Sequence, residues 1–145
     1  MPNQTETHVQ IQRRELLRKI KILVVDDNAD ILDLTKTILE MADYETLSAL
    51  SGKKALEMLS EIDPPDLILL DMRMEDMSGP DFLTVLEEKK PEIIKKVPIV
   101  FLTGMDKVPL TKASGFIRKP FNIDEFLISV RHFIEIGIEP AFFKH

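Results

Sequence analysis

A chain of 145 residues with no cysteine, 44% hydrophobic and 30% charged, has room for one domain with a real core and excludes disulfide, thiol and thiolate-metal chemistry. Its net charge of −6 argues against a strong nonspecific nucleic-acid binder. The lack of cysteine suits a reducing cytoplasm; the longest apolar runs, Ile22–Val25 and Leu67–Leu70, are far too short to span a membrane, and no signal-peptide core opens the chain.

In chain order, residues 1–18 read as an extension, loose at first and helical from about Val9. The basic cluster Arg13, Arg14, Arg18, Lys19 and Lys21 reads as a solvated face. Ile20–Val25 is a short run of β-formers, as expected of a buried parallel strand. Ile31, Leu34, Ile38 and Leu39 mark one face of a first helix, and Tyr44–Leu50 is a weaker strand. Ala55, Leu56, Leu59 and Ile62 mark a second helix, followed by the strand Leu67–Leu70. Phe82, Leu83 and Leu86 make a third, opened by Ser78 and Pro80.

Ile99–Leu102 is the next strand and Phe116–Ile117 a weak last one. The eleven residues Gly104–Ser114 are too few for a crossover helix of about ten residues with its two loops. Pro109 opposes a continuous helix there, so the spacing predicts a loop with at most one helical turn. Asn122 and Glu125 resemble a capping box ahead of Phe126, Leu127, Val130, Phe133 and Ile134. Residues 138–145 read as a short tail. The alternation predicts a doubly wound parallel α/β domain over 19–137, helices on both faces.

In such a sheet, functional groups collect at the carboxyl ends of the strands. Those ends carry Asp26 and Asp27, Asp71, Thr103 and Lys119. Three carboxylates within about 4 Å repel by about 1–4 kcal/mol per pair at surface-like dielectrics. A hard divalent cation such as Mg²⁺ removes that penalty, and a carboxylate beside it can attack a phosphoryl group. Lys119 and Thr103 can complement phosphoryl oxygens.

The ordered motifs VVDDN, LLDMRMEDMSG, FLTG and GFIRKPF, from about Lys21 to Gly137, resemble the receiver domain of two-component response regulators, of the stand-alone, single-domain type. The resemblance implies a flavodoxin-like sheet of five strands in the order 2-1-3-4-5, with a shortened or missing fourth helix. It implies phosphorylation of Asp71 by a histidine kinase, or relay to a histidine phosphotransferase. Mg²⁺ would be bound by Asp27 and Asp71 directly, by Asp26 largely through water, and by the backbone carbonyl of Arg73. Thr103 and Phe116 would form the switch pair, Lys119 would contact the phosphoryl group, and the bond to Pro120 would be cis. Arg73 and Met105, two residues beyond Asp71 and Thr103, would tune the phosphoryl lifetime. Such a protein catalyses its own phosphorylation and dephosphorylation and signals through an unknown downstream protein or a homodimer, with no nucleic acid or membrane as partner.

Three features depart from the pattern, the eleven-residue segment Gly104–Ser114 most of all. Met74–Glu75 stands where the family often has Met-Pro, and Gly104 where Ala or Ser is commoner. Other readings compete. A haloacid-dehalogenase-like phosphatase uses similar residues but wants an Asp-x-Asp on its first strand and a late acidic pair, both missing here. A phosphorylation-independent scaffold could keep the pocket by descent. Asp26–Asp27 could be a solvated helix N-terminus, and Met72, Met74 and Met77 read as adaptable packing. His8, His132 and His145 lack ligand spacing, and Phe142 and Phe143 read as tail residues folded onto the domain.

Overall fold

The computed structural model describes residues 7–10, 18–104, 112–119 and 122–142. Alternation of apolar side chains across five parallel strands organises it: β1 (Lys21–Val25), β2 (Glu45–Ala49), β3 (Leu67–Asp71), β4 (Ile99–Thr103) and β5 (Gly115–Arg118). The order is β2-β1-β3-β4-β5, as expected, and all neighbours pair in parallel. Side chains two apart share a face of a strand. Leu23, Val25, Ile68, Leu70 and Phe101 therefore meet helices α2 (Gly52–Glu61) and α3 (Gly79–Lys89) on one side. Ile22, Val24, Leu67, Leu69, Val100 and Leu102 meet α1 (Ala29–Met41) and α5 (Ile123–Phe142) on the other. Each fully buried Leu, Ile or Phe in these layers contributes about 1.5–3 kcal/mol of transfer free energy.

Local signals set the helix starts. Asn28 caps α1, its Oδ1 accepting the N–H groups of Asp30 and Ile31. Ser51 caps α2. Ser78 and Asp81 form a reciprocal capping box on α3 with Pro80 in its first turn. The Oδ1 of Asn122 accepts from Asp124 and Glu125 at the start of α5. Thr7 and Gln10 make a further pair of cap bonds where a helical turn begins, close to the expected Val9.

One expected helix face needs correction, and the helices add two features beyond the sequence reading. Leu34, expected on the core face of α1, is 58% exposed; the buried face is Leu32, Thr35, Ile38 and Leu39. Thr35 is tolerated there because its hydroxyl donates to the Ile31 carbonyl at 2.8 Å. A short helix α4 (Pro91–Lys96), unforeseen, follows α3 and buries Ile93. Helix α5 runs through Phe142, past the expected tail boundary at 138. Between β4 and β5, Gly104 and Lys112–Ser114 are non-helical, and 105–111 lie outside the described residues. Among the described residues no helix is long and apolar enough to cross a membrane.

Candidate functional site

The sheet register brings three strand ends to one edge, where Val25 lies beside Leu70 and Asp71 beside Leu102. The chain leaves β1 at Asp26, whose N–H still donates to the Ala49 carbonyl at 3.1 Å. That bond holds the Asp26 side chain at the sheet edge, where it is 1% exposed. Its Oδ1 accepts the Asn28 N–H at 2.9 Å, and its Oδ2 faces the Lys119 Nζ at 3.3 Å. Asp27 is exposed and accepts the N–H of Glu75 at 2.9 Å. Asp71, at the end of β3, has its Oδ1 3.5 Å from the same Lys119 Nζ and accepts the Arg73 N–H at 3.3 Å.

One carboxylate oxygen from each of Asp26, Asp27 and Asp71 lies within 4.8 Å of the others. Lys119 is the ammonium that bridges two of them, so among the described residues three negative charges face one positive charge. Burial pushes the Asp71 carboxyl up from its ordinary value, against the lowering by Lys119, and the charges of Asp26 and Asp27 push it the same way. The uncompensated charge and the hard oxygen donors fit a divalent cation of the Mg²⁺ or Ca²⁺ kind.

The loop after β3 is fixed at several points. Met72 donates to the Leu102 carbonyl and accepts from the Gly79 N–H, and Arg73 pairs with Ser78 in an isolated antiparallel bridge. Met72 and Met74 are buried beneath it, in keeping with the packing role read from the sequence. Asp76 reaches back to α2 and accepts the N–H groups of Gly52 and Lys53. This clamp was missed in the sequence, where nothing in the Glu75–Asp76 pair points to a helix so far upstream.

Thr103 is buried at the end of β4, and its carbonyl accepts the Lys119 N–H at 2.7 Å. Phe116, on β5, is 47% exposed and stands apart from the aspartates, beside Phe101 in the register. Arg73 is exposed at the mouth of the cluster. Among the described residues a Cβ at Gly104 would meet nothing within 4 Å, so their packing does not demand glycine there. Met105 and Pro120, and with them the expected cis bond, lie outside the described residues. His132 is exposed and meets Phe133 edge-on rather than any acidic cluster.

Comparison with known proteins identifies the family and the fold. The response regulator receiver domain family matches residues 22–131. The transcriptional regulatory protein CrdR of Helicobacter pylori is 29% identical over 134 residues, 86% of this chain and 61% of that protein. The DNA-binding dual master transcriptional regulator RpaA of Synechocystis is 31% identical over 118 residues, 77% of this chain and 47% of that protein. The chain thus spans about half to three-fifths of these relatives. The chemotaxis response regulator CheY4 of Vibrio cholerae superposes with a TM-score of 0.72 at 27% identity, covering 80% of this chain and 99% of that one.

Proposed function

The chain belongs to the response regulator receiver domain family, and on that premise we propose that it is a cytoplasmic signalling switch that takes a phosphoryl group onto Asp71. The observation that carries this reading is the Lys119 ammonium lying between Asp26 and Asp71 at the end of β3. Asp71 is the half-buried member of the cluster, between the buried Asp26 and the exposed Asp27. In the transfer, an Asp71 oxygen forms the new O–P bond while the P–N bond of a donor phosphohistidine breaks. The electron pair of that bond stays with the imidazole. Lys119 would offset charge on the transferred oxygens, and the Thr103 hydroxyl would be a neutral donor to them.

Asp27, Asp71 and the Arg73 carbonyl would hold Mg²⁺ directly and Asp26 through water, and the ion would neutralise charge on the phosphoryl oxygens. Arg73, exposed beside Asp71, would pair with the phosphorylated side chain and slow its hydrolysis. Thr103 and Phe116, on adjacent strands, would carry the change outward to a partner. The donor would be a histidine kinase or a histidine phosphotransferase.

The test is intact-mass measurement after incubation with Mg²⁺ and acetyl phosphate. The expected result is an acid-labile gain of one phosphoryl group, lost in Asp71→Asn. Full incorporation in that variant would overturn the assignment of Asp71. Absence of incorporation into the unaltered chain from either acetyl phosphate or a histidine kinase would favour a phosphorylation-independent scaffold.

A further inference from the structure

A groove of about 440 Å³ opens between α2 and α3, in the size range of ligand pockets and separate from the aspartate cluster. Its floor is apolar: Leu56 and Val85 are half-buried, Met77 reaches in from the loop after β3, and Leu86 continues it into the core. Its rim carries Lys53, Lys89 and Lys90. Glu57 is the one acidic residue among the described residues lining it. The chain as a whole carries a net charge of −6, so this local positive excess runs against the rest of the molecule.

The pattern on α2 is regular. Lys53, Leu56, Glu57 and Ser60 are spaced i, i+3, i+4 and i+7, one helical face turned toward α3. Lys53 stands in the first turn, where the helix dipole disfavours a cation, and that turn has no acidic residue of its own. The carboxylate that serves the first amides comes instead from Asp76. Because the Asp76 carboxylate offsets the dipole at Lys53, the case for a partner rests on the three lysines set around an open apolar floor.

We propose that this groove docks an acidic amphipathic helix of a partner protein. Apolar side chains at i, i+3 or i+4 and i+7 would enter the floor, and flanking carboxylates would meet the three lysines. A helix suits the site because its walls are two helices, whose ridges a third can fill. A strand would need an open sheet edge, which this groove does not offer. A planar bilayer would reach the lysines but not the recessed floor. The proposal does not depend on phosphorylation at Asp71.

The test is an amide-shift titration of the full, unphosphorylated chain with a synthetic helical peptide of about 16 residues. The peptide carries Leu at i, i+4, i+7 and i+11, Glu on both flanks and Ala elsewhere. Two controls replace every Glu by Lys or every Leu by Gln. The expected result is saturable binding below about 1 mM, with shifts centred on Leu56, Met77 and Val85. Affinity should fall at least tenfold in the triple variant Lys53→Glu, Lys89→Glu, Lys90→Glu, which should instead bind the Lys peptide. Leu56→Gln, which keeps the charges, should weaken binding as the Gln peptide does. Shifts centred elsewhere, equal binding of both charge types, no saturation, or stronger binding to phosphatidylserine vesicles would each overturn it.

Discussion

The Asp76 carboxylate accepts the backbone N–H of Lys53 at 2.9 Å and that of Gly52 at 3.2 Å, so the loop after β3 closes the open end of α2. The preceding residue, Glu75, gives its own N–H to Asp27, and the following one, Met77, packs on Gly52. One short loop thus joins the aspartate cluster, the start of α2 and the floor of the groove. Any rearrangement at Asp71 that shifts this loop acts on all three.

Asp76→Ala should lower stability by about 1 kcal/mol, the usual cost of losing a helix cap. Partial burial would raise the Asp76 carboxyl, but the amides of Lys53 and Gly52 hold it below the ordinary value. Its contribution is therefore present above the unfolded pKa and lost as pH falls through the folded one. Urea unfolding near neutral pH and near pH 3 should show a smaller deficit in the second. An equal deficit at both would remove the carboxylate from the explanation.

Magnesium should stabilise the fold, because the cluster exists in the native state and not in the unfolded chain. At ten times its dissociation constant the gain is about 1.4 kcal/mol by mass action. Asp27→Asn should cancel most of that gain while costing nothing without metal, since the amide oxygen still accepts from Glu75 and one repulsive charge is gone. Thermal midpoints with and without Mg²⁺ decide this, and an unchanged Mg²⁺ response in the variant would count against Asp27 as a ligand.

The legible part of the structure has a simple cause. Strands buried on both faces leave continuous apolar runs, and a parallel sheet carries all their ends to one edge. Asp26, Asp27, Asp71 and Lys119 could therefore be assembled from three separate motifs in the sequence, and the fold brings them together. What the sequence withheld depends on rotation or on distance along the chain. Leu34 fits a helical stripe, yet the orientation of α1 against the sheet puts Leu32 and Thr35 inward instead. The partners of Asp76 and Asp66 are 23 and 48 residues away, with no local pattern to reveal them. Helix α4 is too short to leave a period.

Asp66 anchors the end of the N-terminal extension. Its carboxylate accepts two bonds from the Arg18 guanidinium, at 2.6 and 3.0 Å, and one from the Lys21 N–H at 2.8 Å. Burial acts to raise the carboxyl, and Arg18 and Lys21 together outweigh it and hold it below the ordinary value. The resulting stability is complete above about pH 4, the unfolded value, and disappears as pH falls through the folded one. Because Arg18 is largely exposed, Asp66→Asn should cost about 1 kcal/mol at pH 7 and less near pH 3. The reverse order of those two losses in urea unfolding would refute the assignment.

Gly79 allows the start of α3 to lie against the core. A Cβ there would come within 2.7 Å of the Phe101 ring, which is fully buried and cannot turn away freely. Gly79→Ala should cost about 1–3 kcal/mol, the range for overpacking. Gly104→Ala, where a Cβ meets nothing among the described residues, is the matched control and should cost far less. Equal losses in the two unfolding curves would show that backbone freedom, not contact with Phe101, is what glycine supplies at 79.

The end of α1 invites a stabilising change. Asp43 has φ = 70°, with its N–H donating to the Glu40 carbonyl and that of Tyr44 to the Leu39 carbonyl. These two bonds make a Schellman closure with Asp43 at the left-handed position, where glycine is favoured. An L-residue there costs about 1–2 kcal/mol, less for Asp than for most. Asp43→Gly removes that strain and also removes the exposed pair with Lys19, at 3.5 Å, worth a few tenths of a kcal/mol at most. The greater freedom of glycine in the unfolded chain offsets part of the gain. The net should be a stabilisation of about 0.5 kcal/mol, while Asp43→Ala should destabilise because it keeps the Cβ and gains nothing. A urea midpoint that falls in the glycine variant would contradict this account of the turn.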